Sequence, residues 1–511
     1  MADSGQKKNI FPFVLVFITG ASCLAIELTA SRILAPFFGN SIFIWGNIIS
    51  VTLAALALGY WIGGKFSDLR PDPRLLYWIV LVSGLLTACI PLVFRFVISS
   101  VVLGLGGFQM IMIIGSFISI LLLFFVPLFL LGTVSPFVIR LLAKDVATVG
   151  NTAGNVYAFS TLGSILGALS TTFGTIPFLG SRETLYLFSS LLCIIAVIGL
   201  LAKKKWVIGL AAIPLILWAL SAGAPLKDRP GLLYSTESPY QYIEVVQEDD
   251  GMLTLRTNDG RGIQSMYSAS SPFTSSYFDY FAVLPYYIDH QDVNVLNIGH
   301  AGGTTSRIYT TEIEKDKDIS LDAVEIDPEI TTVARNYFNL DEQPITIIHD
   351  DGRHYLESTD ERYDIIIVDA YSQQIYIPFQ LTTQEFFDLV RSRLTDQGLM
   401  AINVNAVNDD SRLLTSILST IRSVFPYVYS AHYEDTFNYL IVASETPVNF
   451  DRPGIRPSSP YVAELMNRIQ RDARGVDEGG EILTDNRAPV ELLTDSMFFT
   501  LIRESRVDEV L

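Results

Sequence analysis

A chain of 511 residues, half of them apolar and only 17% charged, is too long for one ordinary domain and too sparsely charged for one soluble globule. The charge is also divided. Residues 1–225 carry 13 Lys and Arg against 6 Asp and Glu, whereas the remainder carries 22 against 47. An acidic second half repels phosphate, which argues against a nucleic acid partner, and it tolerates or attracts a small cation. Acidity serving solubility alone gives the same composition.

In chain order, a short tail (1–10) precedes apolar runs long enough to cross about 30 Å of hydrocarbon. They lie at 11–31, 42–63, 76–98, 109–135, 154–179, 184–202 and 206–223, which predicts about seven spans within a membrane domain of 11–224. The first run is too long for a cleaved signal peptide. The stretch 93–107 reads as interfacial or re-entrant. Cys23, Cys89 and Cys193 fall in apolar segments with neither metal spacing nor a disulfide framework.

If the spans alternate, Lys7, Lys8, Lys65, Arg70, Arg74, Arg140, Lys144 and Lys203–Lys205 share one side, and only Arg32, Arg95 and Arg182 the other. The positive-inside bias then predicts a multi-pass cell-membrane protein, with the lipid bilayer as its partner and a cytoplasmic N-terminus. Seven spans would deliver the second half outside. Failure of 206–223 to cross, or a double crossing by 93–135, would deliver it inside, and the sequence leaves these open. Glu27, five residues before Arg32, is an acid within a span and thus a candidate ligand or transport residue, unless it pairs with Arg32. The small residues of 150–179 predict close helix packing.

From about residue 232 the pattern changes. YQYIEVVQ and MLTLRT around EDDG predict a hairpin, and with NDGRGIQSMYS a small β region over 225–290. A Rossmann-like domain over 291–445 follows, with strands predicted at 293–298, 319–325, 345–349, 364–369, 398–404, 427–433 and 438–444. Helices are predicted near 304–312, 328–338 and 383–394, and a C-terminal helical segment over 446–511. The fold class is a multi-span helical membrane domain plus an α/β domain, with a small β region and a methyltransferase-like, doubly wound sheet.

Ligands bind at strand C-termini in such sheets. Gly299, Gly302 and Gly303 follow the first strand and open a helix, so backbone can approach a ligand there. Glu325 ends the second strand, about where an acid accepts ribose hydroxyls. Asp350, Asp351 and Gly352 follow the third strand, where an acid can accept the amine of adenine. Asp369 follows the fourth and faces the reacting end. Each acid alone could be a helix cap. The five histidines show no ligand spacing, predict no metal, and read as surface or turn residues.

VLNIGHAGGTT, AVEIDP, DDGRHYL and YDIIIVDAYS…LTTQEFF, after SPYQYIEV and NDGRGIQSMY, resemble the polyamine aminopropyltransferase (spermidine synthase) family in order and spacing. IELTASRILAPFFG, NVYAFSTLGSILGAL and LTDNRAPVELL resemble its membrane-fused form. The turn GGKFSDLRPDPR resembles a cytoplasmic loop of the major facilitator superfamily. The family resemblance implies that decarboxylated S-adenosylmethionine, a co-substrate and not a cofactor, lies across Gln241, Gly299, Gly302, Gly303, Glu325, Asp350, Asp351 and Gly352. It implies that Asp369 deprotonates a polyamine acceptor such as putrescine, giving spermidine and methylthioadenosine, and that a homodimer is the precedent.

The sequence departs from soluble members at three places. Ser372 stands where they carry a second acid, the glycine loop reads His300-Ala301, and YSASSPFTSSYFDY retains only Asp279 of an acid-rich stretch. Tyr240, Gln264, Tyr267, Tyr371 and Ser372 are the remaining candidates for the acceptor amine. Two alternatives stay open. One is a methyl or other transferase using S-adenosylmethionine itself, although no Arg or Lys sits in the glycine loop before Arg307 to pair with its carboxylate. The other is a transporter that senses a polyamine or nucleoside without turnover.

Overall fold

The computed structural model describes residues 10–39, 42–105, 114–143, 145–201, 207–260, 262–371, 376–433, 436–476 and 479–503. Lys7, Lys8, Lys144, Lys203–Lys205 and Ser372 lie outside the described residues. Two compact units result: Met1–Asp228 with Glu237–Gln241, and Arg229–Thr236 with Tyr242–Leu511.

The first unit is helical: α1 (Phe11–Phe38), α2 (Ile42–Leu69), α3 (Pro73–Leu105), α4 (Ser116–Gly132), α5 (Val134–Leu142), α6 (Val149–Ser170), α7 (Ile176–Leu179), α8 (Ser181–Leu200), α9 (Ile208–Ala211) and α10 (Ile213–Ser221). Six helical stretches among the described residues are long and apolar enough to cross a membrane, not seven. The run 206–223 instead forms helices of four and nine residues. Pro214, lacking an N–H, breaks it. The stretch 93–105 is neither re-entrant nor separate, because α3 runs through it unbroken for 33 residues.

Small residues let α1 and α6 touch through backbone. A Cβ on Gly163 would lie 2.0 Å from the Phe17 carbonyl oxygen, and one on Gly167 2.3 Å from that of Ala21. Glu27 is half-buried in α1. Arg32 is turned onto the carbonyls of Ser238 and Pro239. Arg95 Nε donates to the Leu226 carbonyl at 3.0 Å, and Arg182 Nη1 to that of Ala224 at 2.5 Å. Glu237 accepts the Ser181 N–H and hydroxyl at 2.8 and 2.7 Å. The three arginines that stand apart from the basic loops therefore grip the segment that leaves this unit.

The second unit opens with β1 (Leu232–Glu237), β2 (Tyr242–Gln247), β3 (Leu253–Thr257) and β4 (Ile263–Tyr267), one four-stranded sheet in chain order. After α11 (Phe278–Phe281) come β5 (Asp292–Ile298), α12 (Thr304–Thr311), β6 (Asp318–Val324), α13 (Pro328–Tyr337), β7 (Thr346–Ile348), α14 (Gly352–Ser358), β8 (Tyr363–Val368) and α15 (Gln384–Arg393). The chain continues as β9 (Leu394–Asn405), α16 (Arg412–Arg422), β10 (Tyr427–His432), β11 (Asn438–Ser444), α17 (Pro460–Asp472), β12 (Arg474–Gly475) and α18 (Val490–Arg503). The large sheet has the order β7-β6-β5-β8-β9-β11-β10-β12. Strands β5 to β9 pair in parallel, and β11 is antiparallel to both β9 and β10. This is the methyltransferase-like doubly wound sheet that the strand pattern predicts.

Both faces of the sheet are covered, which explains its unbroken apolar strands. Leu296, Ile298, Ile366 and Val368 point into a core with α14, α15, α16 and α18. Val293, Val295, Ile365 and Ile367 point into the other, with α12 and α17. The small sheet packs Ile243, Val245 and Leu255 on Ile330 and Val333 of α13.

Candidate active site

Strand order reverses at β5, whose two neighbours are β6 and β8, so the ends of these strands border one cleft. Gly299 sits in the left-handed region at φ 86°, and a Cβ there would lie 2.5 Å from the Asp369 carbonyl oxygen. Only glycine allows this close approach. The Asp369 N–H donates to the Ile298 carbonyl at 2.9 Å. The loop then turns through Ala301, also left-handed at φ 50°. The Gly302 N–H donates to Ser265 Oγ at 2.7 Å, which ties the loop to β4.

His300 corrects the reading of the histidines. It is buried, with Nε2 2.7 Å from Ser306 Oγ, and burial holds its ring down at about 4, hence neutral. The ring folds inward and fixes the loop.

Glu325 ends β6. Its Oε2 accepts the Ala301 N–H at 2.9 Å and its Oε1 the Asp327 N–H at 3.0 Å. Burial pushes this carboxyl up to about 7, against the pull of those amides. Two oxygens with about four lone-pair sites leave capacity for ligand hydroxyls.

Asp351 caps α14, its Oδ1 accepting the N–H groups of Arg353 and His354 at 2.9 and 3.1 Å. The helix-cap reading therefore holds for this acid, and Oδ2 has no partner among the described residues. Asp350 holds the His354 ring at 2.8 Å. Gly352 abuts the end of β5, where a Cβ would meet Ile298 Cγ2 at 2.2 Å.

Asp369, partly buried at the end of β8, accepts the Tyr277 hydroxyl at 3.2 Å and Asn403 Nδ2 at 3.4 Å. Burial pushes its carboxyl up to about 7 despite these donors. Burial beside Asp369 also holds the Tyr277 phenol well above its usual range, so it stays a donor. Asn438 Nδ2 donates to Oδ1 of both Asn403 and Asn405, at 3.2 and 3.0 Å, so the NH₂ of Asn403 is the end that faces Asp369. The Tyr371 hydroxyl donates to the Asn403 carbonyl at 2.7 Å.

The structure thus gathers Gly299, Gly302, Gly303, Glu325, Asp350, Asp351, Gly352, Asp369 and Tyr371 on one sheet edge. Gln264 is partly buried in β4. Tyr267 is occupied within the protein: Arg307 stacks on its ring at 4.1 Å, and its hydroxyl accepts from Asn339 at 2.9 Å. Tyr240 and Gln241 belong to the helical unit, Tyr240 half exposed. Asp279 is buried and saturated, taking Thr274 N and Oγ1, Ser275 N and the Tyr461 hydroxyl at 2.8 to 3.0 Å. It holds the loop that carries Tyr277 and has little capacity for an amine. Tyr277 and Asn403 are the residues that sequence reasoning missed. Tyr277 lies in a stretch already marked as unusual, whereas nothing local marks Asn403.

In this doubly wound α/β domain a glycine turn after β5 and acids after β6, β7 and β8 thus share the C-terminal edge of the sheet. Residues 275–452, within the second unit, match the spermine/spermidine synthase domain. A probable polyamine aminopropyl transferase of Bifidobacterium longum is 32% identical over 284 residues, 51% of this chain and 62% of that relative's length. Polyamine aminopropyltransferase 2 of Ralstonia nicotianae is 23% identical over 438 residues, 78% of this chain and 80% of its own. That likeness therefore runs into the helical half. A crystal structure of a probable spermidine synthase from Corynebacterium glutamicum matches 51% of this chain and 97% of its own, with a TM-score of 0.40 and 19% identity.

Proposed function

We propose that this protein is a membrane-anchored aminopropyltransferase that moves the aminopropyl group of decarboxylated S-adenosylmethionine to an amine such as putrescine. The observation that carries the reading is Asp369: a carboxylate at the cleft edge, oriented by Tyr277 and Asn403, with a proton affinity near neutrality. An alkylammonium must lose a proton before it attacks, and Asp369 accepts it. The amine nitrogen then bonds to the carbon beside the sulfonium. The C–S bond breaks, its electron pair stays on sulfur, and neutral methylthioadenosine leaves. Holding nucleophile and leaving group in line supplies much of the rate.

Glu325 and Asp351 retain acceptor capacity for ribose hydroxyls and for the adenine amine, and the glycine loop completes the donor contacts within this unit. Arg307, the first cation after that loop, is stacked on Tyr267, which favours a donor without the methionine carboxylate. Tyr371 and Ser372 remain the candidates beside the acceptor. The test is release of methylthioadenosine by the purified full chain, with putrescine set against a panel of amines. No turnover with any amine removes the proposal.

The proposal extends to membrane sidedness. The segment 224–239 is gripped by Arg32, Arg95 and Arg182, at helix ends opposite those bearing Lys65, Arg70, Arg74 and Arg140. Although too short to span as one helix, α9 and α10 lie along α8 and return the chain to the end where α8 begins. The positive-inside bias makes that end extracytoplasmic. A single cysteine at exposed Gln247, in a chain whose native cysteines are replaced, should react with impermeant maleimide on intact cells. Protection until lysis reverses this assignment.

A further inference from the structure

The motif LTDNRAP lies far from the strand ends in sequence, yet the fold brings it beside them. Thr484 and Arg487 close a tight turn through paired backbone bonds of 3.1 and 2.8 Å, with Asp485 and Asn486 at its tip. Asp485 takes the guanidinium of Arg353 as a two-pronged pair, Nη1 to Oδ1 at 2.7 Å and Nη2 to Oδ2 at 2.6 Å. Arg353 is two residues past Asp351, and its N–H is one of the donors that this acid caps. The same Nη1 reaches the Gln380 carbonyl at 3.2 Å, and Thr383 Oγ1 donates to Asp485 Oδ1 at 2.7 Å. Two further bonds fasten the turn: the Gln384 N–H to the Leu483 carbonyl at 2.8 Å, and the Asp485 N–H to Glu385 Oε2 at 3.0 Å.

A second contact comes from α18. Buried Tyr376 donates its hydroxyl to Asp495 Oδ1 at 2.6 Å. The segment 376–383, which follows Asp369 in the chain, is thus held near one end by Asp495 and at the other by Asp485.

We propose that Asp485 and Asp495 are positioning residues for aminopropyl transfer: Asp485 joins α14, the helix that Asp351 caps, to the segment 376–383 downstream of Asp369, and Asp495 fixes that segment through Tyr376. This rests on the transferase reading above. Asp485 acts through Arg353 and Thr383, and its paired, charge-assisted contacts fix direction as well as distance. A turn serving only to close the fold would have no need to join, through one carboxylate, the helix that follows Asp351 and the segment that follows Asp369.

The test uses the full chain, calorimetry with methylthioadenosine, and steady-state kinetics with the amine that turns over. Asp485→Ala should weaken nucleoside binding by about tenfold and raise the amine KM, with kcat within about threefold, the scale of lost hydrogen bonds to charged groups. Asp485→Glu should recover part of both affinities. Tyr376→Phe should raise the amine KM alone, and Asp495→Asn, which keeps an acceptor, should stay near wild type. If Asp485→Ala folds poorly, Tyr376→Phe and Asp485→Asn carry the test. Unchanged affinities in Asp485→Ala and Tyr376→Phe overturn the proposal, as does a parallel fall of Tm and kcat at constant KM. A wild-type chain that binds no adenosyl nucleoside overturns the transferase reading and this inference together, whereas wild-type binding with an unchanged Asp485→Ala overturns the inference alone.

Discussion

Two sets of hydrogen bonds, one from each unit, do different work. In the helical unit, several buried hydroxyls turn back on their own helix: Thr19 donates to Leu15, Thr29 to Ala25 and Ser190 to Tyr186, each four residues away. Such bonds suit an apolar surrounding, where no water can serve an orphaned donor. In the α/β unit, the groups around Asp369 come from distant parts of the chain, Tyr277 from 92 residues away and Asn403 from 34. A local bond stabilises a helix wherever it stands. A long-range one aims a side chain, and aim is what a reaction requires.

The sharpest way to break this contrast is at Asp369. Asp369→Asn should lower kcat/KM by about 10³-fold, within the range for a lost general base, while methylthioadenosine binding stays within about twofold. Retained turnover would empty the site of its chemistry. Gly299→Ala should cost about 10²-fold in kcat/KM and lower Tm, since its methyl must displace the Asp369 backbone and its φ is unfavourable for alanine. Gly163→Val is its counterpart: the α1–α6 contact opens and thermal stability of the detergent-solubilised chain falls, yet kcat of the folded fraction is unchanged.

Proton affinity gives the next test. With Asp369, the proton acceptor, raised to about 7 by burial, its ionisation alone should make kcat/KM fall about tenfold per pH unit on the acid side of 7. The sign for stability is opposite. A carboxyl raised in the folded state favours folding while protonated, and that contribution is lost as pH climbs from about 4 toward 7. Asp369→Asn should therefore gain Tm over wild type at pH 8 and gain little at pH 5, which thermal scans at both values will read. Tyr277→Phe removes one donor to the carboxylate, so the acid limb should move upward by less than about one unit. The smallest effect belongs to Thr29→Val, expected to leave kcat/KM unaltered, because its bond is local and replaceable.

Legibility in the sequence follows the same division. Strands such as VNVLNI and DIIIVD stood out because burial on both faces leaves no polar alternation, and their ends stood out through glycines and acids. Gly299, Glu325 and Asp369 could therefore be read from local pattern alone. Tyr277, Asn403 and the inward turn of His300 could not, since each depends on pairing between segments far apart. Among the helices, hydropathy marked the apolar runs, but Pro214 broke the last of them and α3 ran on past its expected end.

The amide of Asn438 makes one more point about β11. That strand contributes no group to Asp369, yet by drawing the oxygens of Asn403 and Asn405 toward itself it dictates which pole of the neighbouring amide the carboxylate meets. Were Asn438 an aspartate, the poles would swap and an oxygen would confront an oxygen. A strand two places from β8 in the sheet thus sets the polarity beside Asp369, and tuning the basicity of that carboxylate could begin there without altering a residue proposed to meet substrate.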